Sequence, residues 1–256
     1  MKQTYCQTSL RLLALSFSFA IGLIACEQAQ TETEPYVSAK VKIGSNATLG
    51  NFLTDEAGRT LYFFTKDVNG TSACTDGCLT SWPIFFEETL TIGSGLNVKD
   101  FGSITRADGK LQTTYKGWPL YRFAKDETPG ETKGNGALNN TFFVANPNYS
   151  VFGADKNGAK FLVDAAGRSL YQFDNDAVQV SNCTGGCLQV WPQFFAPYAT
   201  VPTFLRTSDF GVINRPDGKQ QVTFKQKPLY YFIDDAVRGD TKGNAANQKF
   251  KLAVTN

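Results

Sequence analysis

Short runs in which apolar and polar residues alternate cover most of the chain, and turn residues separate the runs. A period of two is typical of half-buried β-strands. In the first half of the chain the runs cover residues 52–54, 60–65, 103–105, 111–115, 118–120 and 141–144. Two β-hairpins are predicted here. One surrounds the turn at residues 55–58, and the other surrounds Asp108-Gly109, a dipeptide that favours tight hairpin turns.

Helical periodicity is weak and confined to two short stretches, residues 75–81 and 184–190. Both stretches end at a Trp-Pro pair, as expected because proline disfavours helical backbone in the residue before it. Each stretch therefore predicts one short helical turn.

The whole pattern occurs twice, at an offset of 109 residues that is kept until near the end of each copy. Residues 52–55 match 161–164, for example, and about half of the aligned residues are identical. The sequence predicts an all-β protein of two tandem homologous antiparallel β units, residues 38–147 and 148–256. Each unit is expected to have six or seven strands and one short helical turn.

A weaker repeat lies inside each unit, where a Leu-Tyr-x-Phe-x-x-Asp motif occurs twice. Its tyrosine, phenylalanine and aspartate positions are Tyr62, Phe64 and Asp67; Tyr121, Phe123 and Asp126; Tyr171, Phe173 and Asp176; and Tyr230, Phe232 and Asp235.

Together with D-x-x-G-R-[TS]-L-Y, C-x3-C-L-x-x-W-P and R-x-D-G-K-x-Q, this motif resembles the bacterial secreted-repeat lipoproteins that carry a Y-x4-D motif. The similarity covers both units. Members of that family usually have glycine before the second Pro-Leu-Tyr, which Gly117 matches and Gln226 does not. The resemblance implies export and repetition, but no activity, because the function of the family is uncharacterised.

The first 25 residues predict an export signal, with two basic residues followed by an apolar run that is short for a membrane span. The run ends in residues 23–26, which resemble the lipobox of bacterial lipoproteins. In such proteins the cysteine, here Cys26, is acylated and becomes the first mature residue. Residues 26–37 then predict a flexible tether. The alternative is an ordinary secretory signal that contains a cysteine. The expected location is the bacterial cell envelope outside the cytoplasm, on the outer membrane in a Gram-negative organism.

Composition removes several function classes. The chain has no histidine, and its one methionine is Met1. A Ser-His-Asp triad and a His-ligated metal or haem are therefore impossible within this chain. Loss of the signal would leave equal numbers of basic and acidic residues and no basic cluster, so nucleic acid is not expected as a partner.

The remaining cysteines form two C-x3-C pairs, Cys74 with Cys78 and Cys183 with Cys187. Export favours disulfides, and residues four apart in a helical turn lie within disulfide range. Two alternatives remain. The four thiolates converge on one zinc ion or iron–sulfur cluster, or each pair is redox-active.

For the tyrosine–aspartate motifs we expect core packing by the rings and Asx turns by the aspartates. A weaker alternative is that the carboxylates bind Ca²⁺; otherwise no cofactor is expected. Trp118 stands where the second unit has Lys227, so it is not required by the shared core. We therefore expect Trp118 to be exposed and to offer a contact for a partner.

These observations favour a non-enzymatic, lipid-anchored envelope protein that acts as a binding or assembly module. Its expected partners are the membrane, through the lipid anchor, and an envelope protein. It would serve as an accessory subunit of a larger membrane complex or as a surface ligand binder. The alternatives are an aspartate-based glycoside or ester hydrolase, and a metal or electron-transfer protein that uses the four cysteines.

Overall fold

The computed structural model describes residues 39–246 and 248–255, which belong to one compact unit. The described part of the first repeat unit contains seven strands. They are β1 (Val41–Asn46), β2 (Gly50–Asp55), β3 (Tyr62–Phe64), β4 (Phe101–Thr105), β5 (Leu111–Tyr115), β6 (Trp118–Pro119) and β7 (Phe142–Val144). The second unit repeats them as β8 (Val151–Lys156), β9 (Ala159–Asp164), β10 (Tyr171–Phe173), β11 (Phe210–Asn214), β12 (Gln220–Phe224), β13 (Lys227–Pro228) and β14 (Phe250–Leu252). The all-β prediction and the strand number are confirmed.

Each unit consists of three small antiparallel sheets with the same connectivity. In the first unit β1 pairs with β2, β3 pairs with β7, and β4, β5 and β6 form a three-stranded sheet. The second unit has the sheets β8–β9, β10–β14 and β11–β12–β13. The predicted hairpin at Asp108-Gly109 is confirmed as β4–β5, and Gly109 takes the positive φ of 77° that this turn requires.

The other predicted hairpin forms only next to its turn, where Thr54 and Thr60 make an antiparallel bridge and the Leu61 N–H donates to the Leu53 carbonyl at 2.8 Å. Beyond the bridge the predicted pairing is wrong, because β2 forms its ladder with β1 instead of β3. The reason is long-range: Tyr62 in β3 pairs with Val144 in β7. Local alternation gives no information about such a partner, which lies 82 residues further along the chain.

The helical turns are short and are more numerous than predicted. Helix α1 (Gly77–Ser81) and its counterpart α3 (Gly186–Val190) lie inside the predicted stretches and end before Trp-Pro. The described residues also contain turns at α2 (Ala137–Asn140) and α4 (Gly243–Ala246), and 3-10 turns at Thr65–Asp67, Val98–Asp100 and Thr207–Asp209. These turns are too short to show an apolar period in the sequence. No helix in the described residues is long and apolar enough to cross a bilayer.

The hydrophobic core continues from one repeat unit into the other. Its largest cluster combines Phe63, Trp118 and Phe143 of the first unit with Phe152 and Phe161 of the second. Ring centroids of Phe63 and Trp118 lie 5.7 and 4.9 Å from that of Phe152, both in edge-on geometry. The face of β8 that packs here is buried, whereas most of the equivalent strand β1 is only half-buried.

Candidate functional site

The four Tyr–Asp motifs meet as two reciprocal pairs, one in each unit. Tyr62 and Tyr121 exchange backbone N–H···O=C bonds of 2.8 and 3.1 Å. This bridge places each tyrosine beside the aspartate of the other motif. The Tyr62 hydroxyl donates to Asp126, and the Tyr121 hydroxyl donates to Asp67 at 2.6 Å. The corresponding bonds in the second unit are Tyr171 to Asp235 and Tyr230 to Asp176, each 2.7 Å long.

The second oxygen of each motif carboxylate holds a loop. Asp67 Oδ1 accepts the backbone N–H of Ala73 at 2.7 Å, and Asp126 Oδ1 accepts that of Lys133 at 2.9 Å. The second unit has the same bonds, from Asn182 to Asp176 and from Lys242 to Asp235. The expected Asx turns are therefore wrong, because an Asx turn uses an amide two residues on and these amides lie six or seven residues on. Each carboxylate closes a larger loop.

A buried arginine extends the network to the disulfide loop. The Arg106 guanidinium donates to Ser72 Oγ, to Gln112 Oε1 at 2.9 Å and to the Cys74 carbonyl at 2.9 Å. Ser72 Oγ in turn lies 2.7 Å from the Tyr121 hydroxyl. The chain of bonds thus runs from a cation to the Asp67 carboxylate. Arg215, Ser181, Gln221 and Cys183 repeat this arrangement in the second unit.

The motif phenylalanines pack against other aromatic rings; Phe64 and Phe232 are buried, and Phe123 and Phe173 are half-buried. Phe64 stacks on Phe142 with ring centroids 4.1 Å apart, and Phe123 lies 4.4 Å from Trp82. In the second unit Phe173 stacks on Phe250 at 4.3 Å, and Phe232 lies 4.5 Å from Trp191. The aromatic side of each motif is therefore part of a cluster of its own unit.

Burial sets the protonation of the network. It raises the pKa of Asp67 to about 7, although the Tyr121 hydroxyl and the Ala73 amide act in the opposite direction. Burial also raises the pKa of Asp126 and Asp176. It raises the pKa of the four motif tyrosines as well, helped by the neighbouring carboxylates, so the hydroxyls stay protonated donors at neutral pH.

Both predicted disulfides are present. Cys74 is bonded to Cys78 and Cys183 to Cys187, with 5.4 Å between the Cα atoms in each case. The zinc and iron–sulfur alternative loses its thiolate ligands, since all four cysteines are in disulfides. Within residues 39–246 and 248–255 no three acidic or cysteine side chains gather as a metal site would require. Cys26, the predicted signal over residues 1–25 and the predicted tether over residues 26–37 lie outside the described residues.

The expectation that Trp118 is exposed is wrong. Its side chain is 1% exposed, and its indole N–H donates to the Ala165 carbonyl of the second unit at 2.9 Å. The Arg238 guanidinium lies over the indole ring, 4.7 Å from its centroid. Arg238 also donates to the carbonyls of Val68 and Lys116 at 2.8 and 2.9 Å. Trp118 differs from Lys227 because it packs at the junction between the units.

Several positions at which the two units differ in sequence lie at this junction. Arg238 corresponds to Pro129, and the unusual Gln226 corresponds to Gly117. A Cβ atom on Gly117 would lie 1.9 Å from Arg238 Nη1, so glycine is needed only where an arginine crosses it. Burial lowers the pKa of Arg238 to about 10, still well above neutrality, so the guanidinium is charged.

Similarity to known proteins extends to the sequence family but not to a solved fold. Residues 45–85, 102–145, 154–194 and 211–250 match a family model described as a secreted repeat of unknown function. The four matches cover well over half of the chain, and each repeat unit contains two of them. No curated protein and no solved structure matches the chain.

Proposed function

Since the chain belongs to the family of secreted repeats of unknown function, we propose that it is a lipid-anchored protein of the bacterial cell envelope. In this proposal the protein is a non-catalytic binding or assembly module, for instance an accessory subunit of a larger membrane complex. Cys26 carries the acyl chains, and residues 26–37 connect them to the folded unit.

The reciprocal Tyr–Asp pairing is the observation that carries the non-catalytic part of the proposal. Hydrolysis by two carboxylates needs a pair of acidic groups that face a shared substrate space. Here each motif aspartate faces a tyrosine, and its other oxygen holds a backbone amide. The carboxylates and hydroxyls of the motif thus hold the fold together. In this proposal the exposed strand edges and loops contact the partner.

The anchor places that recognition close to the membrane. A flexible tether of about 12 residues has a root-mean-square span of roughly 20 Å. Two or three acyl chains hold a protein stably on a bilayer, whereas one chain does not. A module on such a tether stays within a short distance of the lipid surface. This restriction favours a partner in the envelope over a freely diffusing solute.

Labelling in cells with a palmitate analogue tests the anchor. Wild-type protein should take up the label and sediment with membranes, and Cys26→Ser should do neither. Cys6→Ser is the matched control, because Cys6 lies within the predicted signal and its loss should change nothing. Release of unlabelled wild-type protein into the soluble fraction would refute anchoring.

Crosslinking in intact cells tests the module. The wild type should form specific crosslinks to an envelope protein, and Cys26→Ser should lose them while its purified form keeps the same unfolding midpoint. Crosslinks that do not depend on the anchor, or none at all in either variant, would contradict a membrane-proximal binding role.

A further inference from the structure

A cavity of about 370 Å³ opens on the first repeat unit beside β4. Its apolar lining comes from Phe86, Leu90, Val98, Phe101 and Leu111. Val98 and Leu111 are 58% and 44% exposed, so apolar surface faces solvent here. Two carboxylates, Glu87 and Glu88, also line the cavity. Its volume lies within the range of small-ligand pockets, about 300–1,000 Å³.

The strand along this cavity has an open edge. β4 pairs with β5 and has no second neighbour in the described residues. Its ladder is flanked by bonds from Lys116 N–H to the Asp100 carbonyl and from Arg106 N–H to the Lys110 carbonyl. Because hydrogen bonding alternates along an antiparallel strand, Ser103 and Thr105 direct their backbone groups away from β5. Such a row of donors and acceptors is a template for another strand.

We propose that the β4 edge binds an extended, basic peptide segment of a partner protein. The segment adds a strand beside β4, seats an apolar side chain in the cavity and places a lysine or arginine near Glu87 and Glu88. In β-strand addition, main-chain bonds give affinity and pockets for alternate side chains give specificity. This inference rests on the proposed binding function and names its partner class.

Charge argues for this occupant over two others. A second copy that presents this same face would bring Glu87 and Glu88 again and no basic side chain, because the cavity lining contains no lysine or arginine. The predicted tether carries Glu27, Glu32 and Glu34 without a basic residue, so it supplies no complementary charge either. Glu87 already interacts electrostatically with Lys40, which is itself paired with Glu56. A basic segment would add the complementary charge that Glu88 and the cavity lining lack, and it would pair with the open edge.

The second unit supplies a matched comparison. β11 has the same open edge and the same flanking bonds, so Val212 occupies the place of Ser103. However, Ala196 and Pro197 replace the two glutamates, and Gln220 replaces Leu111. The β11 edge should therefore bind basic peptides far more weakly than the β4 edge.

The test uses a fluorescent octapeptide of alternating lysine and valine, measured by anisotropy with the purified mature protein. Ser103→Pro removes an outward N–H without removing a ladder bond, and it should weaken binding by about tenfold or more. Val212→Pro is the matched control and should change affinity less than about twofold. Glu87→Gln with Glu88→Gln leaves the backbone intact, and it should weaken binding and reduce its salt dependence.

Three results would overturn the proposal. They are equal affinity for wild type and Ser103→Pro, equal binding of a glutamate–valine octapeptide, and self-association of the protein that Ser103→Pro abolishes. The last result would assign the edge to a second copy. Failure of this site and failure of the proposed function can be told apart. If envelope crosslinks persist in Ser103→Pro, the protein is still a binding module and only the β4 site is refuted.

Discussion

At the junction between the two repeat units, the Arg238 side chain crosses the backbone at Gly117 and donates to the Lys116 carbonyl beside it. Gly117→Ala adds a Cβ atom 1.9 Å from Arg238 Nη1 at a residue with φ of 76°. The left-handed backbone alone costs about 1–2 kcal/mol for a residue with a Cβ. The steric overlap also displaces the guanidinium, so the substitution should remove the arginine's contacts as well.

The size of that second effect follows from what Arg238 contacts. It donates two bonds to backbone carbonyls and lies over Trp118. Hydrogen bonds to charged groups contribute about 1.5–3 kcal/mol each, and the desolvation of a buried guanidinium offsets part of this. Arg238→Ala should therefore cost about 2–4 kcal/mol, and Gly117→Ala about 3–5 kcal/mol.

A double-mutant cycle separates the two effects. In the double variant the added Cβ meets no guanidinium, so the cost should fall short of the sum by about 2 kcal/mol. Gly109→Ala is the matched control, because Gly109 has φ of 77° and nothing lies within 4 Å of an added Cβ. Its effect should be additive with Arg238→Ala in urea unfolding. Additivity in both cycles would refute the predicted coupling between Gly117 and Arg238.

Three further variants test the interior of the first unit. Tyr121→Phe leaves the buried Asp67 carboxylate without its donor and should cost about 1–3 kcal/mol in urea unfolding; a loss no larger than that of Tyr198→Phe, at a 73% exposed tyrosine, would contradict this. The pKa of Asp67 is about 7 in the fold against about 3.9 unfolded. The stabilisation that comes from protonated Asp67 is therefore fully present below pH 4 and is lost as the pH rises through 7. Asp67→Asn should flatten the measured pH dependence of the free energy of unfolding between pH 4 and pH 7. Cys74→Ser with Cys78→Ser should cost only about 2 kcal/mol by denaturant unfolding, because the closed loop is short, and a thiol count on the denatured wild type should find all four C-x3-C cysteines oxidised.

Local patterns were sufficient to predict the elements that depend on near neighbours. The β4–β5 hairpin follows from Asp108-Gly109, and the two disulfides follow from cysteines four apart in a helical turn. The pairing of β3 with β7 could not be predicted, because the alternation around Tyr62 is equally compatible with a local hairpin. Which partner a strand takes depends on long-range packing.

The sequence identified the residues of the four Tyr–Asp motifs, but not the hydrogen bonds between them. The four motifs were found from their spacing, yet a spacing of five does not show that Tyr62 bonds the aspartate of the other motif. That reciprocity has a consequence for the family repeat. A single repeat places its tyrosine and aspartate in the protein interior without partners, so two repeats form the smallest unit that satisfies both.

Contacts between the two units, like those between the two repeats within a unit, explain why residues at equivalent positions differ between the units. Trp118 is buried at the junction, whereas its equivalent Lys227 is half-buried and its ammonium group donates to the Asp174 carbonyl of its own unit at 3.4 Å. Trp118→Lys should therefore cost about 3–5 kcal/mol, the usual range for loss of a buried large aromatic. The reverse change, Lys227→Trp, should alter the free energy of unfolding by less than about 0.5 kcal/mol. Urea unfolding of the two variants side by side measures the difference. Equal effects would mean that the first unit does not depend on the second, and that the junction contributes little to the stability of the fold.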